Sequence, residues 1–161
     1  MDRHPQVDDL RKAGHQVVGN RKSLIDTAVV RLGQLPGTTL RARSSYYRTV
    51  PVGPVKQDWF LNIAVVLATG LAEKALADAC RGIEAELGRD RTQEIVSGPR
   101  PIDIDVVAYG AAAAIDSRSF VLVPLAEIAP SFAIGGTTID ALARKADAVG
   151  VVRLDWSLPP T

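Results

Sequence analysis

The chain has 161 residues, enough for one domain with its own hydrophobic core, and its 19 Lys and Arg nearly cancel 18 Asp and Glu. That balance excludes a global basic field that would gather nucleic acid or an anionic membrane, and a single cysteine, Cys80, excludes an internal disulfide and a cysteine-based metal centre. The longest apolar run, near residues 63–71, is too short to span a bilayer, and no apolar stretch of signal-peptide type follows Met1. The expectation is a cytoplasmic, monomeric protein that meets small molecules rather than nucleic acid or membrane.

Residues 1–161 read as one domain in which residues 1–15, polar and charged, form a poorly ordered leader. Within residues 23–35 apolar side chains fall at Leu24, Ile25, Ala28, Val29, Leu32 and Leu35, the spacing of an amphipathic helix, which Pro36-Gly37 ends. Residues 38–47 are rich in β-formers. After a turn between Pro51 and Pro54, residues 59–69 read as a second strand buried on both faces and pairing antiparallel with the first. Residues 71–87 carry Leu76, Ala79, Cys80, Ile83 and Leu87 on one helical stripe, with Gly88 as a left-handed stop and Cys80 facing the core. A strand at 102–109, the alanine run 111–114, a strand-like stretch at 120–124, a helix at 139–147 and a strand near 149–154 complete the order. Alternating elements with short connections predict an α+β fold, a ferredoxin-like antiparallel sheet with flanking helices.

The densest chemistry lies in Gly98-Pro99-Arg100-Pro101-Ile102-Asp103-Ile104-Asp105. In an extended strand alternate residues share a face, so Asp103 and Asp105 stand together with Cα atoms roughly 6.6 Å apart, while Ile102, Ile104 and Val106 turn to apolar packing. Two carboxylates so placed repel unless a cation lies between them, and Mg²⁺ is suited to one or two carboxylates plus substrate phosphates. A solvated strand face can carry the same pattern by chance, so the pair alone does not decide. Phe60 and Asn62 share a face in the same way, offering a stacking surface beside a carboxamide that suits a flat heterocycle such as a pterin or purine. A core phenylalanine and an asparagine capping local backbone would look the same.

Taken in order, several motifs resemble one family. They are Ser44-Ser45 with Tyr47, Thr49, Pro51, Gly53 and Pro54; Phe60-Leu61-Asn62; Ile83-Glu84 with Leu87-Gly88-Arg89 and Arg91; Gly98-Pro99-Arg100 with Asp103 and Asp105; and the run from Arg118 to Pro130. The resemblance is to 6-hydroxymethyl-7,8-dihydropterin pyrophosphokinases, which move pyrophosphate from ATP to a pterin alcohol in folate biosynthesis and release AMP. It implies that Asp103 and Asp105 bind two Mg²⁺ ions and, with Arg89 and Arg100, carry catalysis. Glu84, Arg89, Arg91, Arg100 and Arg118 would line the ATP site. Thr49, Val52, Phe60, Asn62 and Phe120 would surround the pterin, Phe60 and Phe120 sandwiching its ring.

The chain also departs from that pattern. Val17-Val18-Gly19-Asn20 lacks the usual serine, Val96-Ser97 stand where a basic residue and a tryptophan are usual, and residues 111–117 replace a longer segment with a Pro-His pair. Lost lid contacts predict weaker ATP binding and slower transfer. Besides the pyrophosphokinase itself, two readings follow from these departures: a pterin- or nucleotide-binding protein without turnover, and a pyrophosphokinase for another small alcohol.

Overall fold

The computed structural model describes residues 6–12, 21–49, 59–88, 102–110, 112–113, 118–148 and 150–154. Its elements are β1 (Gln6–Lys12), α1 (Arg21–Gly33), β2 (Thr38–Arg43), β3 (Tyr46–Thr49), β4 (Phe60–Thr69), α2 (Glu73–Glu86), β5 (Asp103–Tyr109), β6 (Ala112–Ala113), α3 (Ser119–Ile128), β7 (Ala133–Ile134), β8 (Thr137–Thr138), α4 (Ile139–Lys145) and β9 (Val151–Leu154). Seven strands form one sheet in the order β6-β5-β1-β4-β3-β9, with β2 beside the far end of β4, and β7-β8 make a separate hairpin. Every pairing is antiparallel. The sequence β1-α1-β2/β3-β4-α2-β5, with β1 between β4 and β5, is the ferredoxin-like arrangement expected from the sequence.

The strand β4 organises the molecule because its ten residues are apolar apart from Asn62 and Thr69 and nearly all are buried. Leu61, Ile63, Val65 and Leu67 point to one face and pack with Ile25, Leu32, Leu76 and Ile83 of α1 and α2. Ala64 and Val66 point to the other and pack with Val121, Leu122 and Leu125 of α3 and Ile139 of α4. Alternate residues of one strand thus feed two separate cores. Cys80 lies in the first of them, 2 % exposed.

Two expectations are corrected. Residues 6–12, read as part of a leader, form β1, which runs between β4 and β5 and is paired along both edges. Its sequence alternates poorly, and two-sided backbone pairing rather than an apolar face makes it a strand. Residues 120–124, read as strand-like, lie in α3. Val121, Val123 and Pro124 argue for extension locally, but the helix puts Val121, Leu122 and Leu125 together on Ala64 and Val66, and tertiary burial overrides local propensity. Among the described residues no helix is long and apolar enough to cross a membrane.

Candidate active site

The α3 face of the sheet carries the candidate chemistry. Phe60 and Asn62 share this face with Ala64 and Val66, and on the neighbouring strand Thr49 pairs with Phe60 and Tyr47 with Asn62. Asn62 is 1 % exposed, and its Nδ2 donates to the Thr49 hydroxyl at 2.6 Å. That bond fixes the amide orientation and leaves its Oδ1 buried with no hydrogen-bond partner. A buried carbonyl without a donor costs on the order of 1–3 kcal/mol, a cost that a ligand N–H removes on binding.

Across β1 the register sets Asp103 level with Asn62, because the β1 residue Arg11 pairs with both, and sets Asp105 level with Ala64 through Asp9. Two strand spacings separate each pair, roughly 9.6 Å. On β5, Ile102 and Ile104 enter the α1-α2 core while Val107 enters the α3 core, so Asp103 and Asp105 lie on the α3 face with Asn62. Both carboxylates are half-buried and share a rigid strand, a hard-oxygen donor pair that fits Mg²⁺ completed by phosphate oxygens and water. Among the described residues no cluster of three or more His, Cys, Asp or Glu forms a closed metal cage.

Glu84, which the resemblance places along the ATP site, bonds to the backbone of β5. It is 1 % exposed on α2, and its Oε2 accepts the Ile104 backbone N–H at 2.8 Å. The carboxylate therefore satisfies the edge of β5 at the residue between the two aspartates. Arg118 and Phe120 sit together at the start of α3, the guanidinium 5.2 Å from the ring centroid, with the Arg118 carbonyl accepting the first helical N–H groups. Phe120 packs at the border of the α3 core. The structure thus brings Thr49, Phe60, Asn62, Asp103, Asp105, Arg118 and Phe120 onto one side of the sheet. Val52, Arg89, Arg91 and Arg100, along with residues 17–20, 96–97 and 114–117, lie outside the described residues.

Two polar clusters were not anticipated from sequence. Glu127 of α3 accepts from the Ser45 backbone N–H at 2.8 Å, the Ser45 hydroxyl at 3.2 Å and the Tyr47 hydroxyl at 2.6 Å, with Arg153 of β9 nearby at 3.9 Å. Burial pushes the Tyr47 phenol well above its ordinary range, and the Glu127 carboxylate pushes it further. On the opposite face Asp26 of α1 accepts from Lys22 at 2.8 Å, from Arg43 at 2.5 Å and from the Tyr46 hydroxyl. Burial alone would raise the Asp26 carboxyl, but bonds from Arg43, Lys22 and Tyr46 outweigh it and hold the group below the usual carboxylate range. Only the Lys22–Asp26 pair, four residues apart on α1, has a spacing readable from sequence; Glu127 meets Ser45 and Tyr47, and Asp26 meets Arg43 and Tyr46, across different elements.

Comparison with known proteins bears on this geometry. A family model described as 7,8-dihydro-6-hydroxymethylpterin-pyrophosphokinase matches residues 14–130. A protein of Methylorubrum extorquens named 2-amino-4-hydroxy-6-hydroxymethyldihydropteridine pyrophosphokinase is 44% identical over 149 residues, covering 86% of this chain and 93% of that one. A protein of the same name from Pseudomonas aeruginosa is 37% identical over 117 residues, covering 66% of this chain and 71% of its own. Another, from Bacillus subtilis, is 37% identical over 122 residues, covering 69% and 72%.

Proposed function

We propose that this chain, which belongs to the 7,8-dihydro-6-hydroxymethylpterin-pyrophosphokinase family, transfers the terminal pyrophosphoryl group of ATP to the hydroxymethyl oxygen of 6-hydroxymethyl-7,8-dihydropterin and releases AMP, a step of folate biosynthesis. The observation that carries the reading is the buried Asn62 Oδ1, held by Thr49, without a donor of its own, and level with Asp103 across β1. A pterin presents ring and exocyclic N–H groups along one edge, which complement that acceptor. Phe60 on the same strand face and Phe120 at the start of α3 are the aromatic surfaces for its rings.

Asp103 and Asp105 would hold Mg²⁺, two ions on the family pattern, Arg89 and Arg100 would hold the ATP phosphates, and Arg91 and Arg118 would lie along the nucleotide. What the bound metal supplies is neutralisation of charge on the phosphate oxygens. The hydroxymethyl oxygen attacks the β-phosphorus of ATP. The new P–O bond forms as the bond between the β-phosphorus and the α,β-bridging oxygen breaks, and AMP leaves with that oxygen while the hydroxyl proton is lost to solvent or a nearby base. Such a transfer depends on positioning and electrostatics rather than on a covalent catalyst, and the rigid floor of β3, β4 and β5 suits it. Both substrates are small molecules, and the reading requires no macromolecular partner.

Incubation of the protein with Mg²⁺, ATP and the dihydropterin, with nucleotides and pterins resolved by chromatography, tests the reading. AMP formed one-for-one with pterin pyrophosphate is the expected result. Pterin binding with no AMP would replace it with a binding protein of the same fold, and ATP consumption indifferent to the dihydropterin would point to another alcohol as acceptor.

A further inference from the structure

We infer that Glu127 is a positioning residue that sets the gap between α3 and the floor of the pterin pocket, an inference that rests on the functional reading above. Its carboxylate ties the far end of α3 to the strand that forms one wall of the site. One oxygen accepts from the Tyr47 hydroxyl at 2.6 Å, and the other accepts from Ser45 at 2.8 Å through its backbone and 3.2 Å through its hydroxyl. Tyr47 is not a remote anchor. It is 5 % exposed and lies directly opposite Asn62 in the β3-β4 ladder, two residues from Thr49, so the tie ends beside the amide that meets the heterocycle.

The same helix carries Phe120 two turns nearer its N-terminus, roughly 10 Å along the axis, with Arg118 capping that end. The height and tilt of α3 over the sheet therefore fix how far the Phe120 ring stands from the floor. Against β4 itself α3 packs Val121, Leu122 and Leu125 on Ala64 and Val66. Such packing is strong but non-directional, whereas a carboxylate receiving several hydrogen bonds defines one position. A slot for a flat ring needs that definition, because a gap of about 0.5–1 Å already forfeits roughly a quarter to a half of the contact energy.

The test compares wild type with Glu127→Gln and Tyr47→Phe. Calorimetry reads the affinity for 6-hydroxymethyl-7,8-dihydropterin with Mg²⁺ and a methylene-bridged ATP analogue present, and separately the affinity for that analogue alone; thermal melting reads stability. The expected result is dihydropterin affinity weakened about tenfold in Glu127→Gln and several-fold in Tyr47→Phe, with analogue affinity within about twofold of wild type. Should Glu127→Gln fail to fold, Tyr47→Phe, which keeps the Ser45 bonds, carries the comparison. Variants that melt earlier yet bind dihydropterin as wild type does would make the tie merely structural and overturn the inference alone. A wild type that binds no dihydropterin would overturn the functional reading and this inference with it.

Discussion

The two faces of β4 show how one strand divides stability from chemistry. Toward α1 and α2 it offers Leu61, Ile63, Val65 and Leu67, all at 0 % exposure and all aliphatic, and the hydroxyl of Thr69, the polar side chain of β4 on that face, is met by the Thr38 hydroxyl and the Leu71 N–H. Toward α3 it offers Phe60, Asn62, Ala64 and Val66, an aromatic ring, an amide and two small aliphatic groups, with the buried Asn62 carbonyl left unmet. The first face is a solved packing problem. The second leaves one buried polar atom unmet, the kind of local departure expected at a site in a chain whose other levels agree.

The sharpest way to break this division is to remove a carboxylate. Asp103→Ala or Asp105→Ala is expected to lower kcat/KM by at least about 10³, the scale of losing a metal-held charge in phosphoryl transfer, while the melting temperature moves by only a few degrees. Unchanged Mg²⁺-ATP affinity in both variants, measured by calorimetry, would refute the metal assignment. On the other face Leu61→Ala should behave inversely. Urea unfolding is expected to show a loss of about 2–5 kcal/mol, with kcat at 25 °C preserved in the folded fraction.

Asn62→Leu crosses the division. Replacing the amide by an apolar side chain of similar size removes its unmet acceptor together with its bond to Thr49, so stability should change by no more than about 1 kcal/mol while dihydropterin binding weakens by about 1–3 kcal/mol, on the order of ten- to a hundredfold. A variant that loses stability and keeps binding would return Asn62 to a purely structural part. The smallest effect belongs to Asp26→Asn. Because the folded state holds Asp26 below its unfolded value, its contribution is present above about pH 4 and is lost as pH falls through the folded value. The variant should therefore show a flatter decline of melting temperature with acid than wild type, with activity at neutral pH unaltered.

Much of this arrangement was legible from residue patterns. The period of α1 predicted its inner face at Ile25, Ala28, Val29 and Leu32, and the unbroken apolar run of β4 predicted burial on both sides. The alternation of Ile102, Asp103, Ile104 and Asp105 fixed which side of β5 carries the acids. What escaped was set by partners distant in sequence. The ladder that makes β1 a strand is supplied by β4 and β5, the helix at Ser119–Ile128 is stabilised by Ala64 and Val66, and Glu127 acquires its meaning only when Ser45 and Tyr47 arrive beside it. The β7-β8 hairpin did carry a local signal, the Gly135-Gly136 pair, both with positive φ as a two-residue hairpin turn of that hand requires.

The position of β1 has a kinetic consequence. Leu10 pairs with Ile63 on one side and Ile104 on the other, so β1 has to wait for two neighbours that lie far downstream of it in the chain. Long-range pairing of this kind raises contact order and slows folding, because loop closure precedes the contacts that reward it. The helices α1 and α2 can form early, but the β1–β5 ladder forms only once the chain through β5 is present. Since β1 also separates Asn62 from Asp103, the proposed pterin side and the proposed metal side of the site come into register only when both ladders of β1 have formed.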